Sequence, residues 1–122
     1  MARLWLSDWW RRRRPGPWRI VGEVSEADQV PGSIPKHGAI RVGPALTPKW
    51  LVFDCPCDKE HRVMLNLDRR RRPAWQIHEA VPLAVWPSVD AVVGRRRCHY
   101  VIDRGHVFWT SSEMGHRWDR LE

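Results

Sequence analysis

Three cysteines supply all the thiol chemistry this chain has, and they fall in two places. Cys55 and Cys57 flank a proline in "WLVFDCPCDKEHRVMLNL", with His61 four residues on, and Cys98 precedes His99 in "RRRCHYVIDRGHVFW". Thiolate and imidazole are the ligands that zinc takes in tetrahedral sets. An odd cysteine count argues against a disulfide framework and leaves metal binding or catalysis as the sharper expectation. The bland alternative is a buried cysteine acting as a small hydrophobe, and C-x-C is a weaker signal than the C-x2-C knuckle.

Side chains alternate along a strand, which sorts the ligands by face. Leu51, Phe53 and Cys55 share a side, and Cys57 continues it if extension persists through Pro56. Val63, Leu65 and Leu67 form an apolar row, with His61 in phase at the mouth of the same hairpin. Cys98 and His99 point to opposite faces. Two ligand sets follow. Cys55, Cys57, His61 and Cys98 would close a structural site, whereas Cys55, Cys57 and His99 would leave a fourth position open for water. An open zinc activates that water, with Glu60, Glu79 or Asp103 as the acid/base. A metal-free route uses Ser88 of "WPSV" with His99 and Asp103, which share strand parity in a Ser-His-Asp arrangement. Against these stand plainer readings: Ser88 as a turn hydroxyl after Pro87, and His99 as a hydrogen-bonded core histidine. His37, His78, His106 and His116 read as ordinary surface or strand positions.

The elements that must position these groups are short strands punctuated by Gly, Pro and Asp. "WRIVGEV", "GAIRVG", "WLVFDCP", "HRVMLNLD", "AWQIHEA", "PLAVWPSV", "CHYVID" and "HVFW" read as strands. "EADQVPGSIPKH", "RRRRP" and "SVDAVVGRRR" read as loops, and "DRG" as a tight hairpin turn. The fold class expected is mainly β, a compact antiparallel sheet or small barrel with an N-terminal helical extension. Residues 1–17 form that extension, with Trp5, Leu6, Trp9 and Trp10 at helical spacing; 18–110 form the β-rich zinc-binding domain, and 111–122 a tail.

At 122 residues the chain suits one modest core. Arg11–Arg14, Arg69–Arg72 and Arg95–Arg97 supply 11 of its 21 basic residues and so account for the net charge of +7. Arginine forks suit carboxylates and phosphates alike. No recognised nucleic-acid motif accompanies the runs, so nucleic acid is the third-ranked partner class. The nine tryptophans read mainly as core. No apolar run approaches the roughly 20 residues that span a bilayer, and the N-terminus has its charges after its apolar part, unlike a secretory signal. A cytoplasmic protein without a membrane partner is the expectation.

"FDCPC", "HRVMLNL", "RPAW", "WPSV" and "CHYVIDRGHVFW", in that order over Pro31–Trp109, resemble a small family of zinc-binding domains encoded in bacterial ubiquitin-like conjugation operons. The chain departs from that pattern at Lys59 and Arg96, where the family often has cysteine. The resemblance implies a Zn2+ protein that processes or removes a ubiquitin-like modifier, partnered by that modifier and by its activating and conjugating enzymes. The leading expectation is therefore a zinc-dependent peptidase that cleaves at the modifier's C-terminal tail. Behind it stand a non-catalytic zinc-stabilised module that binds the same proteins, and a Ser-His-Asp hydrolase of the same substrate.

Overall fold

The computed structural model describes residues 16–57, 61–93 and 95–110. They form two four-stranded sheets. The first contains β1 (Arg19–Val24), β2 (Gly38–Val42), β3 (Trp50–Asp54) and β4 (Arg62–Asn66), in that spatial order. The second contains β5 (Gln76–Ala80), β6 (Leu83–Val93), β7 (Arg96–Asp103) and β8 (His106–Thr110), also in sequence order. Neighbours pair antiparallel except β1 with β2, which are parallel. A parallel pair needs a crossover of about a dozen residues. Residues 25–37 supply it, around a short 3-10 turn (Ala27–Gln29) where the Gln29 side chain accepts from the Ser25 and Glu26 amides.

Strand burial follows position in the sheet. Edge strand β4 alternates, with Val63 and Leu65 buried and Met64 exposed. Inner strands β2 and β3 are almost continuously apolar because both their faces are covered. One face, with Ala39, Leu51 and Phe53, meets Val85, Val89, Tyr100 and Ile102 of the second sheet in the main core. The other, with Ile40, Val42 and Val52, packs on Ile34 of the crossover in a smaller core.

A ring of main-chain bonds ties the sheets together at one end. Trp18 N donates to Gly105 O, Gly105 N to Leu83 O, and Leu83 N to Trp18 O, each at 2.8 Å. Gly105 and Arg104 both have positive φ, as a two-residue hairpin turn of this hand requires. A Cβ on Gly105 would also collide with Pro17.

The eight strands lie where the sequence pattern puts them. No barrel closes among the described residues, since β1, β4, β5 and β8 each remain an edge. The segment 88–97, expected as a loop, instead extends β6 and begins β7, so that Val89 pairs with Tyr100 and Ala91 with Cys98. Alternation of Val89, Asp90, Ala91 and Val92 carries the strand onward, and the arginine that suggested a loop is used across it, Arg97 to Asp90. Residues 1–15 of the N-terminal extension, with its expected helix, and the C-terminal tail 111–122 lie outside the described residues.

Candidate active site and metal centre

The two faces of β7 carry different chemistry. Cys98 points inward and is 1% exposed. It meets the turn between β3 and β4: the ligand atoms of Cys55, Cys57, His61 and Cys98 all lie within 4.8 Å of one another. Cys98 Sγ is 3.7 Å from His61 Nε2. Thiolates about 2.3 Å from a tetrahedral ion sit about 3.8 Å apart, so the cluster needs little adjustment to hold one. The Cys55 amide donates to the His61 carbonyl at 2.8 Å, which brings the two ends of this turn together. Of the two ligand sets left open by strand alternation, this is the four-residue one, without His99.

Burial pushes the Cys98 thiol up to about 12, and the neighbouring Cys57 and Cys55 push in the same direction. Burial also raises Cys55, against a hydrogen bond from Tyr100 at 3.3 Å that favours its thiolate. A cation among these three thiols, two of them buried, would favour their thiolate forms. Four ligands complete a shell, the arrangement of structural rather than catalytic sites.

His99, one residue on, points out of the core. Its Nε2 lies 2.9 Å from Ser88 Oγ, the geometry of a nucleophile and its general base. Placing Ser88 there takes an irregularity in β6. Val85 pairs with Ile102 and Val89 with Tyr100, so β6 spends four steps where β7 spends two. A bulge of this kind re-aims side chains beside functional sites. Both groups are half-buried, shielded yet reachable.

Asp90 is the carboxylate beside this pair. It is the direct cross-strand partner of His99, and both its oxygens accept from Arg97, at 2.8 and 2.6 Å. The Arg97 fork holds its carboxyl below the usual range, and the charge of His99 adds to this. Trp75 Nε1 donates to the Ser88 carbonyl at 3.1 Å, from the side of β6 away from β7. Main-chain groups alternate in direction along a strand, so those of Asp90 and Val92 also face away from β7. There β5 stops pairing at Trp86, and no strand follows it among the described residues. Among the described residues, the main chain of β6 is thus open just beyond Ser88.

The other sequence candidates are scattered. Asp103 ends β7, four residues from His99, or about 13 Å along an extended strand, and pairs with Arg104. Glu79 is exposed on β5 opposite Ala84, beside a groove of about 620 Å³. Glu60 lies outside the described residues. Asp90 was not among the candidates, because a segment taken as loop has no parity to test; the alternation of Ser88 and Asp90 with Val89 was the available signal.

An all-β scaffold of two sheets, with a serine hydrogen-bonded to a histidine at a strand bulge, has the features of a serine hydrolase. The family model for the bacterial ubiquitination-like system serine protease, BubE, matches residues 26–110, and the chain belongs to that family. The family is one of a bacterial ubiquitin-like system, as the sequence resemblance indicated. No curated protein and no solved structure matches the chain. The expectation of a zinc-dependent peptidase is overturned: the family is named for serine protease chemistry. His99 lies beside Ser88 on the face of β7 opposite Cys98. Among the described residues, no helix is long and apolar enough to cross a membrane.

Proposed function

We propose that this chain is a serine protease that cleaves the C-terminal tail of a ubiquitin-like modifier. Ser88 is the nucleophile and His99 its base. The observation that carries this is the 2.9 Å contact between Ser88 Oγ and His99 Nε2, together with the family. His99 takes the Ser88 proton through Nε2 as Oγ attacks the scissile carbonyl, then returns it to the departing amine. Water hydrolyses the resulting acyl-serine, with His99 again as base. Asp90, facing His99 across the ladder, stabilises the imidazolium formed at each step. The open edge of β6 supports an extended substrate, since a tail laid there pairs its main chain with Asp90 and Val92.

Zinc, in this reading, is structural. Cys55, Cys57, His61 and Cys98 hold it and so clamp the β3–β4 turn to β7 directly beneath His99. Three free cysteines suit a reducing, cytoplasmic compartment.

The test is to incubate the protein with the ubiquitin-like protein of its operon, carrying its native C-terminus, and to treat a second sample with a fluorophosphonate. Loss of cleavage, with the label recovered on Ser88, is expected. Undiminished cleavage by a Ser88→Ala variant would dispose of the serine route.

A further inference from the structure

The arginine run Arg69–Arg72 ends in a pocket that the catalytic reading leaves unused. Its volume is about 440 Å³, and Arg69 and Arg72 line it together with Trp75, Gln76, Trp86 and Pro87. Two of these residues, Trp75 and Pro87, adjoin Ser88. Pro87 precedes it in sequence, and Trp75 donates its indole N–H to the Ser88 carbonyl. The run divides by role. Arg70 is committed to Asp68 through two bonds, at 3.1 and 3.2 Å. Among the described residues, neither the Arg69 nor the Arg72 guanidinium makes an ion pair. Among the described residues no acidic side chain lines the pocket, so Arg69 and Arg72 border a space without a described counter-charge.

Direction decides what reaches it. β6 runs from Leu83 toward Val93, and the pocket lies on the Trp86 side of Ser88. A peptide paired antiparallel to the open edge at Asp90 and Val92 travels the opposite way. It passes Ser88 and delivers its C-terminal, leaving-group side into the pocket. Resting on the serine-protease reading above, we propose that Arg69 and Arg72 form a carboxylate-recognition subsite for the leaving group, which selects substrates whose tail ends shortly after the scissile bond. A guanidinium fork matches a carboxylate bidentately. The carboxylate can come from the chain terminus or from an Asp or Glu side chain at that place.

The experiment uses the full-length protein and three forms of the ubiquitin-like protein of its operon: native, C-terminally amidated, and with every acidic residue after the scissile bond changed to its amide. The enzymes are wild type, Arg69→Ala/Arg72→Ala, Arg70→Ala and Ser88→Ala. If the terminus is bound, amidation raises KM about 10-fold or more for wild type, changes kcat little, and has no further effect on the double variant. A side-chain source gives the same pattern with the acid-to-amide form instead, and Arg70→Ala stays near wild type in either case. If neither change of substrate moves KM for wild type while Ser88→Ala is inactive, the subsite is refuted and the serine reading stands. Cleavage by Ser88→Ala would overturn the reading on which the subsite rests.

Discussion

In the proposed reaction Ser88 is the nucleophile and His99 its base, and the effect of each substitution follows from what its side chain touches. Ser88→Ala and His99→Ala should each lower kcat/KM for tail cleavage by at least about 10³-fold, with the melting temperature within a few degrees of wild type. Asp90→Asn removes the charge opposite His99 and should cost more activity than Asp103→Asn, whose carboxylate is engaged with Arg104 at the far end of the strand. Equal losses from the two would contradict the assignment of Asp90. The pH behaviour of the Asp90–Arg97 pair has a definite sign. The Asp90 carboxyl is lowered from its ordinary value of 3.8, so whatever the pair contributes to stability is present above that pH and lost as pH falls below it. An acid titration of the melting temperature, compared between wild type and Asp90→Asn, should show the curves converging below about pH 3.8.

β7 does two jobs because a strand has two faces. Cys98, Tyr100 and Ile102 turn into the core, and His99 turns out to Ser88. Holding the inward face therefore positions the outward one. The β7–β8 turn serves the same strand. Gly105→Ala places a Cβ where Pro17 already lies, at a φ of 80° that side chains avoid. It should destabilise the protein by about 2 kcal/mol, read as a fall in melting temperature on the order of 10 °C. Activity per folded molecule should be retained, because Ser88 and His99 lie well away from that turn.

The Cys55, Cys57, His61 and Cys98 cluster joins the β3–β4 turn of one sheet to β7 of the other, so a zinc held there, as proposed, would act on the molecule rather than on one strand. Structural zinc sites contribute about 10–16 kcal/mol of binding free energy, comparable with the whole stability of a domain this size. Chelation should accordingly unfold the chain cooperatively. Exchange of zinc for cadmium should leave kcat within about twofold, whereas a metal that activates water would transmit the change to the rate. Stripped of metal, the folded chain holds Cys98 protonated up to about pH 12, against an ordinary thiol value of 9.0. A group raised on folding favours the folded state below its unfolded value, and that contribution disappears as pH rises through the folded one. Any metal-free protein that stays folded in the cold should therefore lose stability between about pH 9 and pH 12, and Cys98→Ala should remove that component.

Local pattern was enough to locate the strands, the Arg104–Gly105 turn and the opposed directions of Cys98 and His99, because a period of two and the φ of glycine are properties of a few adjacent residues. It also made Ser88 and His99 members of one candidate set. It did not tell a sheet pair from a barrel, because closure depends on which edges meet, and that is settled between strands distant in sequence. Nor did it separate the serine–histidine pair from the Cys–His cluster. Whether His99 joins Cys55 or Ser88 depends on the β6 bulge and on which sheet covers the inner face of β7, and only packing of the two sheets around Leu51, Phe53 and Tyr100 decided that.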